Sequence, residues 1–569
     1  MARDLQSLKH DLTALKAETS GSATSGRLDS LTSLAQSHAR RAASLTDDLF
    51  WRVWSHAPVV GSTLHVTAGV SREARLLTDH ALPQLVAAAK VLPQLRDHSG
   101  RIDVATLGAQ APRLRDAAST LLASQLRLSR LPHSRVRQLD RGLQQLDALL
   151  ADLEGRTRGL AVAATVGPDV LGFDGTRHYL VAVQNNAEAR ASGGIVGAYG
   201  LLRVVGGQAV LEKFGPDSDL RQVPRNVVDL GPEWRRRYDE LGAARDWREV
   251  TATPDFPSAA KVMLSLWAAT HSGQVLDGVL SVDPPGLADI LQATGPLAAK
   301  DGSRLAADSV VQHTLSDAYR LFPDKTRRSA VLSHDAETVF AALTTGAGDT
   351  LSLGERLGHA AQTGHLKFYA SRPLVQDELA TTTVAGALPT TAAPYLSVVT
   401  QDGNNDKLSY YLRRDISYDG TVLADELDFG DGRGPQPQEL ATVTVRLRNT
   451  APGSGLPDYV APRTDLSTGR PIPPGRMRVA VSVYLGRNGQ LEAATVDGTP
   501  RGLTSQTEQG MAVFTTAVDI DPGSSTTLVL RVRQPTRVGQ PLLVVQQPLV
   551  IPDTLVVRRR DVLRPGAFN

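Results

Sequence analysis

The apolar residues change their period along the chain, and that change limits the folds open to it. Near the amino end Leu5, Leu8, Leu12 and Leu15 alternate spacings of three and four, as do Leu139, Leu143, Leu146, Leu150 and Leu153. A helix turns once in about 3.6 residues, so this spacing draws an apolar seam down one side. Such helices pack on each other or pair as a coiled coil, which makes helical self-association an expected contact. Toward the other end, ATVTVRLRNT, MRVAVSVYLG and TTLVLRVRQP alternate apolar with polar residues. A period of two belongs to strands with one face in a core. Between these regions strand-like and helix-like runs take turns. The reading is a multidomain α+β chain: a helical stalk or bundle over 1–165, an α/β domain over 170–390 and an immunoglobulin-like β-sandwich over 395–569.

Composition narrows the chemistry. There is no cysteine, which excludes disulfides, thiolate catalysis and cysteine metal sites. Basic and acidic residues nearly balance, 61 against 59, so bulk charge does not point to nucleic acid. No stretch reaches the roughly 18 apolar residues of a membrane span. The start, MARDLQSLKHDL, runs straight into a helical pattern. A native chain cut just after a membrane anchor would begin this way, and so would a cytosolic protein.

Local signals place the elements. TSGSATSG at 19–26 reads as a flexible joint, and Trp51 and Trp54 as bundle core or a membrane-facing pair. Tyr179 to Val183 is an apolar run expected to be a buried strand. Polar residues from Gln184 to Arg190 follow, then a glycine corner, Ser192-Gly193-Gly194. Gly206-Gly207 suits a hairpin turn. Pro257 opens a helix whose Ala259, Val262, Met263, Leu266 and Trp267 share one face. GVLSV (278–282) and HLKFYAS (365–371) read as strands, and Asp283 starts a helix that Gly295 closes.

The glycine corner lacks G-x-G-x-x-G spacing and precedes strands, so it is not a nucleotide fingerprint. No P-loop, G-x-S-x-G elbow or H-E-x-x-H occurs, and no histidine has metal-ligand spacing. What remains is a polar turn, Asn185, Asn186, Glu188 and Arg190, with carboxylates at Asp217 and Asp219 and a basic cluster, YRLFPDKTRR, that includes Arg327 and Arg328. Guanidinium forks bind phosphate and carboxylates hold magnesium, so the set suits a lipid diphosphate. The plainer account is a structural hydrogen-bond network plus surface ion pairs.

The string QNNAEARASGGIVGAYG resembles the signature of bacterial domain-of-unknown-function family 4012, common in actinobacteria. PDFPSAAKVMLSLW, LDGVLSVDPPGLADILQATGPL, NNDKLSYYLRR and NTAPGSGLPDYV look similar to the same family. The resemblance implies an extracytoplasmic cell-envelope protein, membrane-anchored in its native form through a segment missing from this chain. It also implies company with polysaccharide genes. The middle domain looks like a distant relative of the LytR-CpsA-Psr phosphotransferases, which move lipid-diphosphate-linked glycopolymers onto the cell wall. That likeness implies phosphate binding by Arg190, Arg327 and Arg328, a magnesium cofactor, and Glu188 and Asp219 as catalytic carboxylates. The chain departs from the enzymes' Arg-Ser-Asp motif, having Ala191-Ser192-Gly193-Gly194, and from their Arg-Gln, having Arg328-Ser329. The fold can outlast the reaction, because fold does not fix function.

Two functions lead, with a cytosolic binding module as a third possibility. One is a protein that binds, and as an enzyme transfers, a polyprenyl-diphosphate-linked or anionic glycopolymer. Such a lipid would need an apolar tunnel beside Arg190. The other is a non-catalytic structural or assembly protein of envelope polysaccharide biosynthesis or export, whose Arg190 and Glu188 serve stability.

Overall fold

The computed structural model describes residues 2–562 apart from 20–24, 47–60, 98, 132–135, 272–273, 300–301, 391–393, 428–435, 463, 465–468 and 538. Trp51, Trp54 and most of the 19–26 joint lie outside the described residues. The fold is mixed α+β, with helices toward the amino end and most of the sheet structure in the second half. The chain divides into two compact units: residues 1–177, 204–210 and 342–358, and residues 178–203, 211–341 and 359–569.

The first unit is helical. Its helices include Ala2–Thr19, Ser25–Ser44, Gly61–Leu76, Leu82–Val91, Ala111–Leu128 and Arg137–Val170. Leu8 and Leu15 are buried against Leu28, Ala35, Ala39, Leu82 and Val86, so the first leucine seam is covered within this chain. The second seam drifts. Leu150 is buried, but Leu153 is 37% exposed and Glu154, Thr157, Ala161 and Ala164 continue the inner face. Glu154 is tolerated there because Arg158, one turn on, bonds its carboxylate. At the hairpin tip, Gly206 and Gly207 hold positive φ (54° and 84°). A Cβ on Gly207 would lie 1.9 Å from the Ile102 carbonyl, so only glycine fits. Among the described residues no helix is long and apolar enough to cross a membrane.

Among the described residues, three sizeable sheets lie mainly in the second unit. Strands β1 (Arg177–Arg190), β2 (Gly193–Val205), β3 (Gln208–Pro216), β4 (Gly278–Val282) and β7 (Leu366–Ala370) form one, in the order β3-β2-β1-β4-β7. β5 (Leu297–Ala298) and β6 (Arg304–Leu305) make a small separate pair. β1 and β4 run parallel, with Leu180 opposite Val279, and β4 and β7 antiparallel. Helix Phe256–Thr270 buries Ala259, Val262, Met263, Leu266 and Trp267, the face its spacing draws. Each such large apolar side chain contributes about 1.5–3 kcal/mol on burial. Asp255 caps this helix through the Ser258 amide, and Asp283 caps the Pro284–Thr294 helix through the Gly286 amide, 3.1 Å in both cases.

The remaining strands are β8 (Tyr395–Asp402), β9 (Leu412–Leu427), β10 (Gln436–Asn449), β11 (Met477–Arg487), β12 (Gln490–Val496), β13 (Thr499–Pro500), β14 (Thr504–Glu508), β15 (Met511–Ile520), β16 (Ser525–Pro535), β17 (Leu543–Val544) and β18 (Thr554–Val562). They form two sheets, β13-β12-β16-β10-β9-β18 and β14-β15-β11-β8-β17. Val443, Val445 and Leu530 of one sheet share an apolar core with Val398, Val481 and Phe514 of the other. Tyr319, the first residue of the YRLFPDKTRR cluster, belongs to the same core.

Candidate functional site

β1 does not stop at Val183. It runs on to Arg190, and Asn185, Asn186, Glu188 and Arg190 beyond the apolar run each find a partner, while Gln184 Nε2 is buried without one. Asn186 donates to Asp283 at 2.8 Å and to the Pro548 carbonyl at 3.1 Å. Asn185 donates to the Tyr319 hydroxyl at 2.8 Å. Glu188 is ion-paired with Lys407, and Arg190 forks onto Glu249 at 3.1 and 3.2 Å. Gln547 holds the Arg190 carbonyl at 2.8 Å. These are long-range contacts, so the polar turn is stitched to the β8–β9 region and the final strands.

The glycine corner beside it is steric. Gly193 has φ +136°, and a Cβ there would lie 2.1 Å from the Gln184 side-chain oxygen. A Cβ on Gly194 would lie 2.0 Å from the Asn185 carbonyl. Neither position has room for the carboxylate of an Arg-Ser-Asp motif. Lys367 closes the corner, donating to the Ser192 carbonyl at 3.0 Å and to that of Gly364. Burial pushes the Lys367 ammonium down to about 8, with Asp283 working the other way.

Around Lys407 the expected residues converge. Tyr319 and Tyr459 stack 6.0 Å apart. The Arg328 guanidinium stands 4.2 Å from the Tyr459 ring and 5.1 Å from Tyr319. Lys407 stands 4.6 and 5.3 Å from the same two rings. Arg328 also donates to the carbonyls of Phe322, at 2.9 Å, and Pro323, at 3.2 Å. Glu188 and Arg328 thus meet through Lys407 and two tyrosines. Burial lowers Lys407 to about 7, while the Glu188 carboxylate in contact with it favours the charged form.

Arg190 adjoins this cluster. Its guanidinium lies 3.9 Å from Asp402 and also donates to the Asp402 and Ala189 carbonyls. Burial alone would lower it, but Glu249 and Asp402 outweigh that and hold it charged. Asp217 is near enough to bias Tyr319 upward, and burial raises Asp217 itself. Two expected residues lie apart. Arg327 is exposed with its guanidinium over Phe322 at 5.4 Å, turned away from the inward Arg328. Asp219 is exposed and faces Tyr199 and Lys213. Magnesium held jointly by Glu188 and Asp219 is a poor fit, because Glu188 is already neutralised by Lys407. A cavity of about 330 Å³ lies between Asn226–Asp229 and Trp234, Arg235 and Asp239, and neither Arg190 nor Arg328 lines it.

Glu249, Asp402, Asp406, Lys407 and Tyr459 complete the cluster and carry no role in the sequence reading. The signal for Asp402, Asp406 and Lys407 is the polar density of QDGNNDK between two strands. Residues 174–319 match the model of a family described as a protein of unknown function, DUF4012. This segment is a DUF4012 domain. It contains Asn185, Glu188, Arg190 and Tyr319, whereas Lys407 and Tyr459 lie beyond it. No curated protein and no solved structure matches the chain. The likeness to LytR-CpsA-Psr enzymes accordingly rests on the sequence motifs alone.

Proposed function

We propose that this chain is a non-catalytic structural or assembly protein of envelope polysaccharide biosynthesis or export, in which the polar turn is a staple and not a ligand site. One observation carries the reading: the Arg190 side chain is 4% exposed and forked onto Glu249. Its donors are committed to Glu249 and two backbone carbonyls. A diphosphate would have to break this buried pair, at a cost of about 3–5 kcal/mol, before gaining anything from the arginine. The envelope setting draws its support from the motifs shared with family 4012.

Isothermal titration of a soluble polyprenyl-diphosphate analogue into wild type and Arg190→Ala, with a thermal melt of each, tests this. The staple reading expects no heat that depends on Arg190 and a lower melting temperature for the variant. Arg190-dependent heat with an unchanged melt would overturn it and restore the glycopolymer-binding reading, with its magnesium and transfer chemistry.

A further inference from the structure

The loop joining β8 to β9 contains Asp402, Gly403, Asn404, Asn405 and Asp406. Oxygen-bearing side chains at the first, third and fifth positions are the spacing by which calcium loops wrap a cation. Asp402 Oδ1 accepts the Asn404 amide and Oδ2 the Asp406 amide, both at 3.0 Å, which curls the loop around its own first carboxylate. Asp406 Oδ1 accepts the Leu408 amide at 2.8 Å. Its Oδ2 is buried and has no hydrogen-bond partner, and Asp406 as a whole is only 2% exposed. A buried carboxylate oxygen without a donor is costly unless something cationic faces it.

The surrounding charge sharpens the point. Arg190 and Lys407 stand among Glu188, Glu249, Asp402 and Asp406. Arg190 is spent on Glu249 and on Asp402, and Lys407 on Glu188. Neither cation is paired with Asp406, where burial and the neighbouring Asp402 raise the carboxyl well above its usual range, so a divalent ion would take the place of its proton. The Asp402 carboxylate and the Asn404 side chain are both neighbours of Asp406; the Asn404 amide nitrogen donates to Asp406 and, at 3.5 Å, to the Arg476 carbonyl, so a cation would turn the amide oxygen inward. Among the described residues no three His, Asp or Glu side chains gather as a metal site, and here the third group is an amide.

We propose that the Asp402–Asp406 loop binds calcium, with the Asp402 and Asp406 carboxylates and the Asn404 side-chain oxygen as its protein ligands. All-oxygen ligands suit a hard cation, and an irregular loop suits calcium better than magnesium, which demands near-octahedral geometry. The loop is not a full EF-hand. Lys407 stands where the sixth-position glycine would be, and Arg413 where the twelfth-position glutamate would be. The affinity therefore belongs to the range of extracellular modules, on the order of 0.1–1 mM. A cation here would brace the cluster that holds β1 to the β8–β9 region.

The full chain, stripped with EDTA, is titrated with calcium chloride and separately with magnesium chloride, and its melt is followed in each. Saturable calcium heat is expected, with a melting temperature that rises at about 5 mM calcium. Asp406→Asn should lose both responses while keeping its far-UV dichroism. Should that variant fail to fold, Asn404→Ala is expected to weaken calcium binding at least tenfold. Flat heat with an unchanged melt in wild type overturns the site, as does calcium binding retained by either folded variant. Magnesium binding as tightly as calcium overturns the choice of ion. None of these outcomes depends on the lipid-diphosphate titration, so the two readings fail separately.

Discussion

Gly194 lies against the backbone of its neighbouring strand: the nearest atom to an added methyl would be the Asn185 carbonyl oxygen, 2.0 Å away. Backbone cannot step aside as a flexible side chain can. Gly194→Ala is therefore expected to destabilise the second unit by about 3 kcal/mol or more, read as a lower urea midpoint. Gly142 gives the contrast, since it is helical, exposed and has nothing within 4 Å of an added Cβ. Gly142→Ala should raise stability by about 0.5–1 kcal/mol. A Gly194 variant as stable as wild type would show that β1 and β2 are not this close. The buried Glu188–Lys407 pair makes a second case at this scale. Glu188→Gln should cost about 3–5 kcal/mol by leaving Lys407 unpaired, and Glu188→Gln with Lys407→Met should recover part of it in a double-mutant cycle. A variant pair whose losses simply add would remove the coupling. Glu188 was legible as a polar residue at a strand end. Its partner stands 219 residues away, and no local spacing reports a contact at that range. The glycine corner was legible as a corner, but its steric reason needs the neighbouring strand.

Periodic elements were the readable ones. The 256–270 helix, the 278–282 strand and the 366–370 strand follow their apolar spacing closely. Elements whose limits depend on distant partners were not. β1 outruns its apolar segment where Asp283, Lys407 and Glu249 partner Asn186, Glu188 and Arg190. β17 and β18 pair parallel with β8 and β9, an arrangement that alternation alone cannot reveal. The short helix Pro232–Tyr238 has a similar hidden anchor. Tyr238 donates to Glu508 of β14 at 2.5 Å, Tyr484 of β11 at 2.7 Å, and Arg237 stands 3.2 Å from the same oxygen. Thr253 bonds the other oxygen. Burial pushes Glu508 up, while Arg237 and the three hydroxyls favour its ionised form. Glu508→Gln keeps the shape but strands a guanidinium whose side chain is only 6% exposed. The expected loss is about 2–4 kcal/mol in urea unfolding, with the 232–238 helix gaining hydrogen exchange first. Unchanged exchange at those amides would mean the helix is held by its apolar contacts alone.

Across the whole molecule the buried titrating groups gather in the second unit, so its pH response should carry theirs. Burial depresses Lys367 to about 8, whereas an unfolded lysine titrates near 10.4. Lys407, in contact with the Glu188 carboxylate, is held charged and does not contribute. Between those values the unfolded chain binds protons that the folded chain has shed. Stability is then complete above the unfolded pKa and falls as pH drops toward the folded one. Tyr238, Tyr395, Tyr418 and Tyr484 act in the opposite sense, because burial pushes their hydroxyls up. Above about pH 10 unfolded tyrosines ionise and these do not, so stability falls again. The urea midpoint of the second unit should therefore climb from about pH 8, peak near about pH 10 and drop beyond it. Lys367→Met removes this contributor, a climb of roughly 3 kcal/mol across that window if its proton is fully lost on folding. The variant loses donors to the Ser192 and Gly364 carbonyls, so its midpoint is lower throughout, and the informative quantity is the slope. A wild-type curve parallel to that of Lys367→Met between about pH 8 and 10 would show that Lys367 keeps its proton in the folded chain. Charge on that lysine would then rest on Asp283, which also accepts from Asn186, and would leave the corner of β1 and β2 held by an ion pair and not by a neutral amine.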